Sequence, residues 1–383
     1  MARRNVDMVY AAAPFAGGVG HRVMDPVLHA DLVRVILTLC DWRRARAEFP
    51  GSNPVSLSRV ALDELARRIV AREYLVADKT DGVRYLWVAL RVRTDLPGDA
   101  AMRPMALMMD RAMRLTVVPM KDYGDDGAAH HQYYDGTVID GELVRARDGG
   151  WRFLAFDAQA IGGATLVHEP YAERYRRLAM LFDGAAAPCV APDVLTMSVK
   201  QQYSASDLHS FGTTIAPELP YATDGFVFTP LHTAMRMGRD DALIKWKRDG
   251  AHTVDLALVV QRGASTYALM MMGDDGAPTP VCADLALSDD QLRACGIAGA
   301  DVQALPQPVI VECAHVGAVD HRLATRHERR YGVWCPVKLR ADKDAPNHSY
   351  TLVKTVDNIR EAIHFESIVA AIVLAAAAAL AGR

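Results

Sequence analysis

At residue 74 the hydrophobic period of this chain changes, and that change decides the class of fold open to it. Upstream, in RVALDELARRIVARE at 59–73, Leu62, Leu65, Ala66, Ile69 and Val70 recur at helical spacing on one face, with Ser58 as an N-cap. Downstream, YLVA at 74–77 and YLWVAL at 85–90 read as strands joined through KTDG. Strand-like runs continue at LTVV 115–118, TVID 137–140, ELVRA 142–146 and FLAF 153–156, separated by Gly-, Asp- and Pro-rich loops. Helical spacing returns in PYAERYRRLAMLFD at 170–183. A strand pair, GFVFTP and ALIKWK, then leads into a second segment of mostly strand (DLALVVQR, TYALMMM, VIVECAHV) that closes with a helix from about Val356. The pattern predicts an α+β catalytic domain over 1–248, with 1–45 as an N-terminal extension of unassigned role. A small β-barrel-like domain with a C-terminal helix follows over 249–383.

A chain of 383 residues, 51% hydrophobic and 23% charged, has material for two such cores. Its net charge of −3 argues against a large non-specific nucleic-acid face, although a phosphate site can be basic locally. Six cysteines stand far apart with no CxxC pair, which reads as free thiols in a reducing compartment without a zinc site. Cys40 and Arg46 have the Cys-x5-Arg spacing of phosphatase loops, but Asp41, Trp42, Arg43, Arg44 and Ala45 between them lack the glycines that let a backbone wrap a phosphate. Asp7 and Pro14 interrupt any apolar leader at the N-terminus, and the C-terminal SIVAAIVLAAAAALAGR is shorter than the ~20 residues that span a bilayer. A soluble, non-secreted protein with no membrane partner is the expectation.

KTDG at 79–82 alone decides nothing, since such a string arises by chance in about one chain in ten of this length. The series that follows it does. DGEL at 140–143, FD at 156–157, DGFVF at 224–228, KWK at 245–247 and KLRADK at 338–343 come in order, and each suits one chemistry. A nucleophilic lysine must be neutral, a state that nearby cations such as Lys245 and Lys247 favour. Attack at an α-phosphate builds negative charge that lysines and a divalent ion stabilise. Glu142 suits ribose hydroxyls, and Asp224 suits a metal. On a strand, Lys245 and Lys247 share one face while Trp246 packs behind them. Taken singly, KWK would be an edge strand with solvated lysines, and DGEL and DGFVF ordinary turn–strand junctions.

The ordered series resembles the covalent nucleotidyltransferase superfamily of mRNA capping enzymes and ATP-dependent polynucleotide ligases. Within it the chain is most similar to capping guanylyltransferases. FPGSNPVSLSR at 49–59, KTDGVRYL, TDGFVFTP and GVWCPVKLRADKDAPN at 332–347 have the capping form, and the resemblance covers about 49–363. It implies a ligase-type, ATP-grasp-like nucleotidyltransferase domain followed by an OB-fold that closes over GTP to expel pyrophosphate and opens to admit RNA. Lys79 would carry the covalent GMP. Arg84 would contact the ribose or its surroundings, Arg111 the nucleotide (with Arg114 as a competing alignment), Glu142 the ribose, and Phe156 would stack on guanine. Lys200, in MSVKQQY, is similar to a base-reading lysine. Asp224, Lys245 and Lys247 would surround the α-phosphate, with Asp224 also on Mg2+ or Mn2+. Asp255 matches a family aspartate. Arg340, Asp342 and Lys343 would orient the β- and γ-phosphates. Lys338 departs from the family, which often has arginine there; lysine offers a point charge instead of a planar fork.

The resemblance implies an mRNA guanylyltransferase that moves GMP from GTP to the 5′-diphosphate end of RNA. The alternatives are an ATP-dependent RNA or DNA ligase and a catalytically inactive RNA-binding relative. Implied partners are GTP, diphosphate-ended RNA, a separate RNA triphosphatase and cap methyltransferase, and RNA polymerase. The implied location is the nucleus for a cellular protein, and the host nucleus or a cytoplasmic factory for a viral one.

Overall fold

The computed structural model describes residues 10–16, 18–93, 102–118, 132–183, 195–261, 266–297, 308–316, 331–340 and 343–382. They fall into two compact units. One comprises the described residues of Met1–Ser56, Asp63–Trp246 and Ala371–Arg383, the other those of Leu57–Leu62 and Lys247–Ala370.

The first unit is built on two sheets, with strands numbered along the chain. Sheet I contains β1 (Tyr10–Phe15), β2 (Gly18–Val23), β5 (Val83–Arg93), β6 (Met102–Asp110), β7 (Leu115–Val117), β8 (Thr137–Arg145), β9 (Trp151–Ile161), β10 (Ala164–Thr165) and β11 (Thr196–Val199). Its order is β1-β2-β7-β6-β5-β8-β9-β10, with β11 parallel to β9. Sheet II has the order β12 (Tyr203–Ser204), β4 (Tyr74–Thr80), β13 (Thr223–Pro230), β14 (Gly238–Lys247) and β3 (Ser52–Ser56).

The apolar run YLWVAL is continuous because β5 lies in mid-sheet and is covered on both faces. Trp87 and Ala89 pack with Ile139, Phe153 and, from α3 (Tyr171–Phe182), Leu178. Leu86 and Val88 pack on the other side with Leu107, Val138 and, from α1 (Pro26–Leu39), Leu32 and Ile36. The N-terminal extension therefore has a structural role: Asp25 caps α1 by accepting from Val27 and Leu28 N–H at 2.9 and 2.8 Å, and α1 roofs the sheet. The helix expected at 59–73 is α2, Arg59–Val70.

Gly141 was expected to separate two strands, yet β8 runs through it. A Cβ at Gly141 would lie 2.4 Å from Phe153 Cζ, so the glycine makes room for a core ring within a strand.

In the second unit one antiparallel sheet has the order β17 (Pro278–Leu285), β16 (Tyr267–Met272), β15 (Thr253–Val260), β18 (Val309–His315) and β19 (Trp334–Leu339). β17 and β19 are its edges, and among the described residues no pairing closes it into a barrel. Val254, Leu256 and Leu258 of β15 point to a core shared with Trp334, Leu292 of α4 (Asp289–Ala294) and Leu352 of α5 (Ser349–Glu361). The last helix was expected from about Val356. α5 begins earlier because the His348 ring accepts from Tyr350 N–H at 3.2 Å, and it stops at Ala362, whose backbone is left-handed at φ 45°. α6 (Phe365–Ala381) follows at a 69° bend, and among the described residues no single helix is long and apolar enough to cross a membrane. The whole is an α+β protein.

Arg174 of α3 clamps Asp157 of β9 with two bonds of 2.8 and 2.9 Å, and both side chains are buried. Arg174→Met strands that carboxylate, so the variant should lose about 3–5 kcal/mol in urea unfolding, with much of it restored in the Arg174→Met/Asp157→Leu double variant.

Candidate active site

Lys79 stands near the end of β4, and the neighbouring strand is irregular where it passes. In the β4–β13 ladder Thr80 faces Thr223 and Lys79 faces Gly225, which leaves Asp224 as an extra residue in a bulge. A bulge re-aims the side chain it carries. Here it turns Asp224 onto the lysine, whose Nζ donates to Oδ1 at 2.8 Å and Oδ2 at 2.9 Å. The glycine of KTDG is equally local in its cause. A Cβ at Gly82 would come within 2.6 Å of Leu143 O and 2.9 Å of Glu142 Cγ, so only glycine lets β8 pass this close.

β8 brings Glu142 opposite Arg84 of β5. Arg84 is held on three sides: Nε and Nη2 donate to Asp140 at 2.8 and 2.5 Å, and Nη1 donates to Ser52 O at 2.8 Å. Its guanidinium lies 5.2 Å from the Phe49 ring centre and 5.6 Å from that of Phe156. Phe156 sits at a register shift between β8 and β9, and Tyr171 donates to its carbonyl at 2.8 Å. Glu142 is only partly exposed. Burial pushes its carboxyl up to about 7, against the opposing pull of Lys200, Arg84 and Lys79.

Arg111 and Arg114, alternatives in the sequence, part company here. Arg114 is committed to Asp110 at 2.6 Å, whose other oxygen holds the turn through Ala112 and Arg114 N–H. Arg111 reaches instead to Asn53 Oδ1 at 3.1 Å, beside the Ser52 that Arg84 grips. Lys200 is buried, and its Nζ donates to Thr80 Oγ1 and lies 3.2 Å from Asp78 Oδ2.

The KWK alternation holds along β14. Trp246 is buried and stacks on Phe226 at 5.4 Å and 14°, while Lys245 and Lys247 are half-buried on the other face. Lys247 opens the second unit and donates to Ala251 O at 3.0 Å.

Within the second unit, Asp255 faces away from the core residues of β15. Its Oδ1 accepts from Arg340 at 2.9 Å, and its Oδ2 accepts from Lys343. Asn347 brackets the same residue through bonds to its N–H at 2.9 Å and its carbonyl at 2.7 Å. Three of the expected residues thus form one cluster, with Asp255 as its hub; Asp342 lies outside the described residues. Lys338 is exposed and pairs in register with Glu312. The tryptophan of GVWCPVKLRADK is a core anchor, fully buried, its indole donating to Tyr331 O at 2.7 Å.

Sequence reading passed over Asp78, Thr80, Asp140 and Arg174. Asp140 was within reach as part of DGEL, and Asp78 and Thr80 flank Lys79, but the Arg84 that grips Asp140 and the Lys200 that reaches Thr80 and Asp78 lie far away in sequence. Cys40 is fully buried and donates to Gln159 at 2.7 Å, and burial pushes its thiol far above the ordinary range. A thiol of that kind cannot serve as a phosphatase nucleophile.

Known proteins complete the site's context. Among relatives, the chain is 25% identical to the mRNA-capping enzyme subunit alpha of Eremothecium gossypii, over 88% of this chain and 81% of that one. It is 28% identical to the protein of the same name from Kluyveromyces lactis, over 60% of this chain and 51% of that one. Among solved structures, a mycobacterial DNA ligase D complexed with ATP and MES is similar at a TM-score of 0.40 and 14% identity, covering 77% of this chain and 96% of that one. A likeness that loose adds nothing to the assignment. The family model for the catalytic domain of mRNA capping enzymes matches residues 20–249, which include Lys79, Asp224, Glu142 and the KWK strand. That match spans more than half of the sequence, and the chain belongs to the mRNA capping enzyme family.

Proposed function

We propose that this chain is an mRNA guanylyltransferase in which Lys79 carries GMP from GTP to the diphosphate end of RNA. The observation that carries the reading is the Lys79–Asp224 contact, made by a bulge inside the capping-family region. In the first half-reaction the neutral amine attacks the α-phosphorus of GTP. A P–N bond forms, the bond to the β-phosphate oxygen breaks, and pyrophosphate leaves with the electron pair while the nitrogen loses a proton. In the second, an ionised oxygen of the RNA 5′-diphosphate attacks the same phosphorus, a P–O bond forms, and lysine departs and regains a proton. The acceptor needs no general base, in keeping with the lack of histidine in the motifs.

Glu142 is assigned to the ribose hydroxyls, Phe156 to the guanine face, Arg84 and Arg111 to the sugar side, Lys245 and Lys247 to the α-phosphate, and Lys200 to the base edge. Arg340, Asp342 and Lys343 are assigned to the leaving pyrophosphate, with Asp255 holding two of them. The second unit is read as an OB-fold, supported by its five antiparallel strands and terminal helices.

No group of three or more His, Cys, Asp or Glu converges as a metal cage among the described residues. A single hard carboxylate nonetheless suits magnesium or manganese, which fill out their shells with water and phosphate oxygens. Asp224 would hold the ion, which when bound neutralises charge on the α-phosphate. The relatives are named as one subunit of a capping enzyme, which supports a partner subunit for this chain; the RNA triphosphatase activity assigned to a separate polypeptide comes from the family resemblance alone.

The test is labelling with radioactive GTP or ATP, a divalent ion and a denaturing gel. GTP alone should label the protein, and Lys79→Ala should lose the acid-labile, alkali-stable adduct. Purified adduct should pass GMP to RNA ending in 5′-diphosphate and release GpppN on nuclease digestion. Labelling by ATP with end joining would place the chain with the ligases.

Lys343→Ala should slow loading from GTP at least about tenfold and slow transfer from preformed adduct much less. Equal loss in both half-reactions would separate the Asp255 cluster from pyrophosphate release.

Glu142 supplies a pH signature. Its folded carboxyl titrates at about 7 against an ordinary 4.5, so the folded state holds the proton longer than the unfolded one. Stability from this group is full below pH 4.5 and is lost as pH rises toward 7. Glu142→Gln should therefore gain on wild type across that window in pH-dependent unfolding. Loading, which needs the ionised acceptor for ribose, should rise through pH 7 in wild type, and that inflection should be missing from Glu142→Gln.

A further inference from the structure

Both residues assigned to the guanine base lie outside the regular ladders around them. In the β8–β9 pairing Gly141 faces Ala155 and Asp140 faces Asp157, which leaves Phe156 as an extra residue between them. Lys200 follows the last residue of β11, and its N–H donates to Ala155 O at 2.7 Å, which sets it beside Phe156. A bulge residue and a residue past a strand end have lost part of the backbone pairing that fixes where a side chain points. One helix takes up their carbonyls instead. Tyr171 of α3 donates its hydroxyl to Phe156 O at 2.8 Å, and Tyr175 donates to Lys200 O at 3.1 Å. Their spacing puts both rings on one face of α3, 5.9 Å apart between centres. Arg174, between them, clamps the neighbouring Asp157.

The helix is fixed without help from these hydroxyls. Its first N–H groups are satisfied from outside, Tyr171 N–H by Thr233 O at 3.1 Å and Ala172 N–H by Leu231 O at 3.0 Å. Arg174 adds a bond to Glu169 O at 2.7 Å, and Leu178 seats the next turn in the core. Burial pushes both phenols above the ordinary tyrosine range, so each keeps its proton and stays a donor at neutral pH. A buried tyrosine hydroxyl needs an acceptor, and any carbonyl would satisfy it. That the two acceptors belong to the two residues assigned to the base goes beyond that need. We propose that Tyr171 and Tyr175 are positioning residues for base recognition: they fix the backbone of Phe156 and Lys200, and with it the height of the stacking ring and the reach of the ammonium that reads the base edge. The proposal rests on the guanylyltransferase reading. Lys79, Asp224 and Lys245 stand on β4, β13 and β14, whereas the hydroxyls hold the backbone of β9 and of the residue after β11. Losing a hydroxyl therefore costs affinity and base choice, and spares the maximal rate.

The experiment measures the rate of adduct formation against the concentration of GTP, and separately of ATP, for wild type, Tyr171→Phe and Tyr175→Phe. Phenylalanine keeps the ring and its packing and removes only the donor. Thermal unfolding is recorded alongside. Each variant should weaken the apparent GTP affinity about 5- to 20-fold, narrow the preference for GTP over ATP, and keep the maximal loading rate within about threefold. Tyr175 is only half-buried, so Tyr175→Phe carries the test even if Tyr171→Phe fails to fold. Unchanged GTP affinity and base preference in Tyr175→Phe would overturn the proposal, as would a fall in maximal rate with affinity intact, or a lowered melting temperature as the sole effect. Failure of wild type to form any adduct with GTP would instead overturn the guanylyltransferase reading.

Discussion

The pairing of Lys79 with Asp224 depends on a single extra residue in β13, and much of sheet II exists to keep that residue where it is. In the β4–β13 ladder, Phe226 and Phe228 fall opposite Asp78 and Val76, so one face of the sheet is aromatic and aliphatic. Phe226 is stacked on Trp246 and packed against Phe211, which itself stacks on Tyr203 at 4.4 Å. These rings lock the register of β13 from behind. A slip of one residue would bring the rings to the solvated face and expose several kilocalories of apolar surface, at about 25 cal/mol per Å2. With the register held, the bulge has only one place to sit, and Asp224 meets the lysine. The core is thus the template for the site.

The electrostatics follow from enclosure. Charges brought out of water in the first unit are mostly matched: Arg84 with Asp140, Arg174 with Asp157, Lys200 with Asp78 and Lys79 with Asp224. Glu142 is different. It faces Arg84 in register, but that guanidinium is already turned to Asp140, so burial outweighs the attraction of the cations around it. Its carboxyl is held near neutrality by burial, with Arg84 still pulling it down from beside its bond to Asp140.

How much of this was legible in the sequence differs by the kind of information involved. Strings such as KTDG, DGEL and KWK are local, and alternation alone assigned Trp246 to the core and its flanking lysines to the other face. The glycine of DGEL misled because its reason is tertiary: the Phe153 ring fills the space, and no local signal says so. The role of the N-terminal extension was hidden for the same cause, since the Asp25-Pro26 helix start is readable but the sheet it roofs is assembled from strands far along the chain, Ala160 of β9 among the residues it packs with. Pairings were the least readable. Lys200 and Thr80 lie 120 positions apart, and Arg84 and Asp140 lie 56 apart. In neither case does residue type alone choose the partner among the many available charges.

Distance in sequence also explains the second unit's cluster. Arg340 and Lys343 lie just past β19, with Lys343 N–H donating to Arg340 O at 3.1 Å, while Asp255 lies 85 residues upstream of Arg340 on β15. Only the antiparallel order β15-β18-β19 brings them together, with β18 as the spacer and Glu312 on it adding a second carboxylate 3.8 Å from Arg340. Two long, flexible cations would otherwise sample many rotamers, at up to about 2 kcal/mol of entropy each to order them. Asp255 removes most of that cost in advance, because its own backbone is bracketed by Asn347 and its side chain is nearly buried. Arg340 and Lys343 are therefore held with their charges already ordered, and no further side-chain organisation is needed to present them.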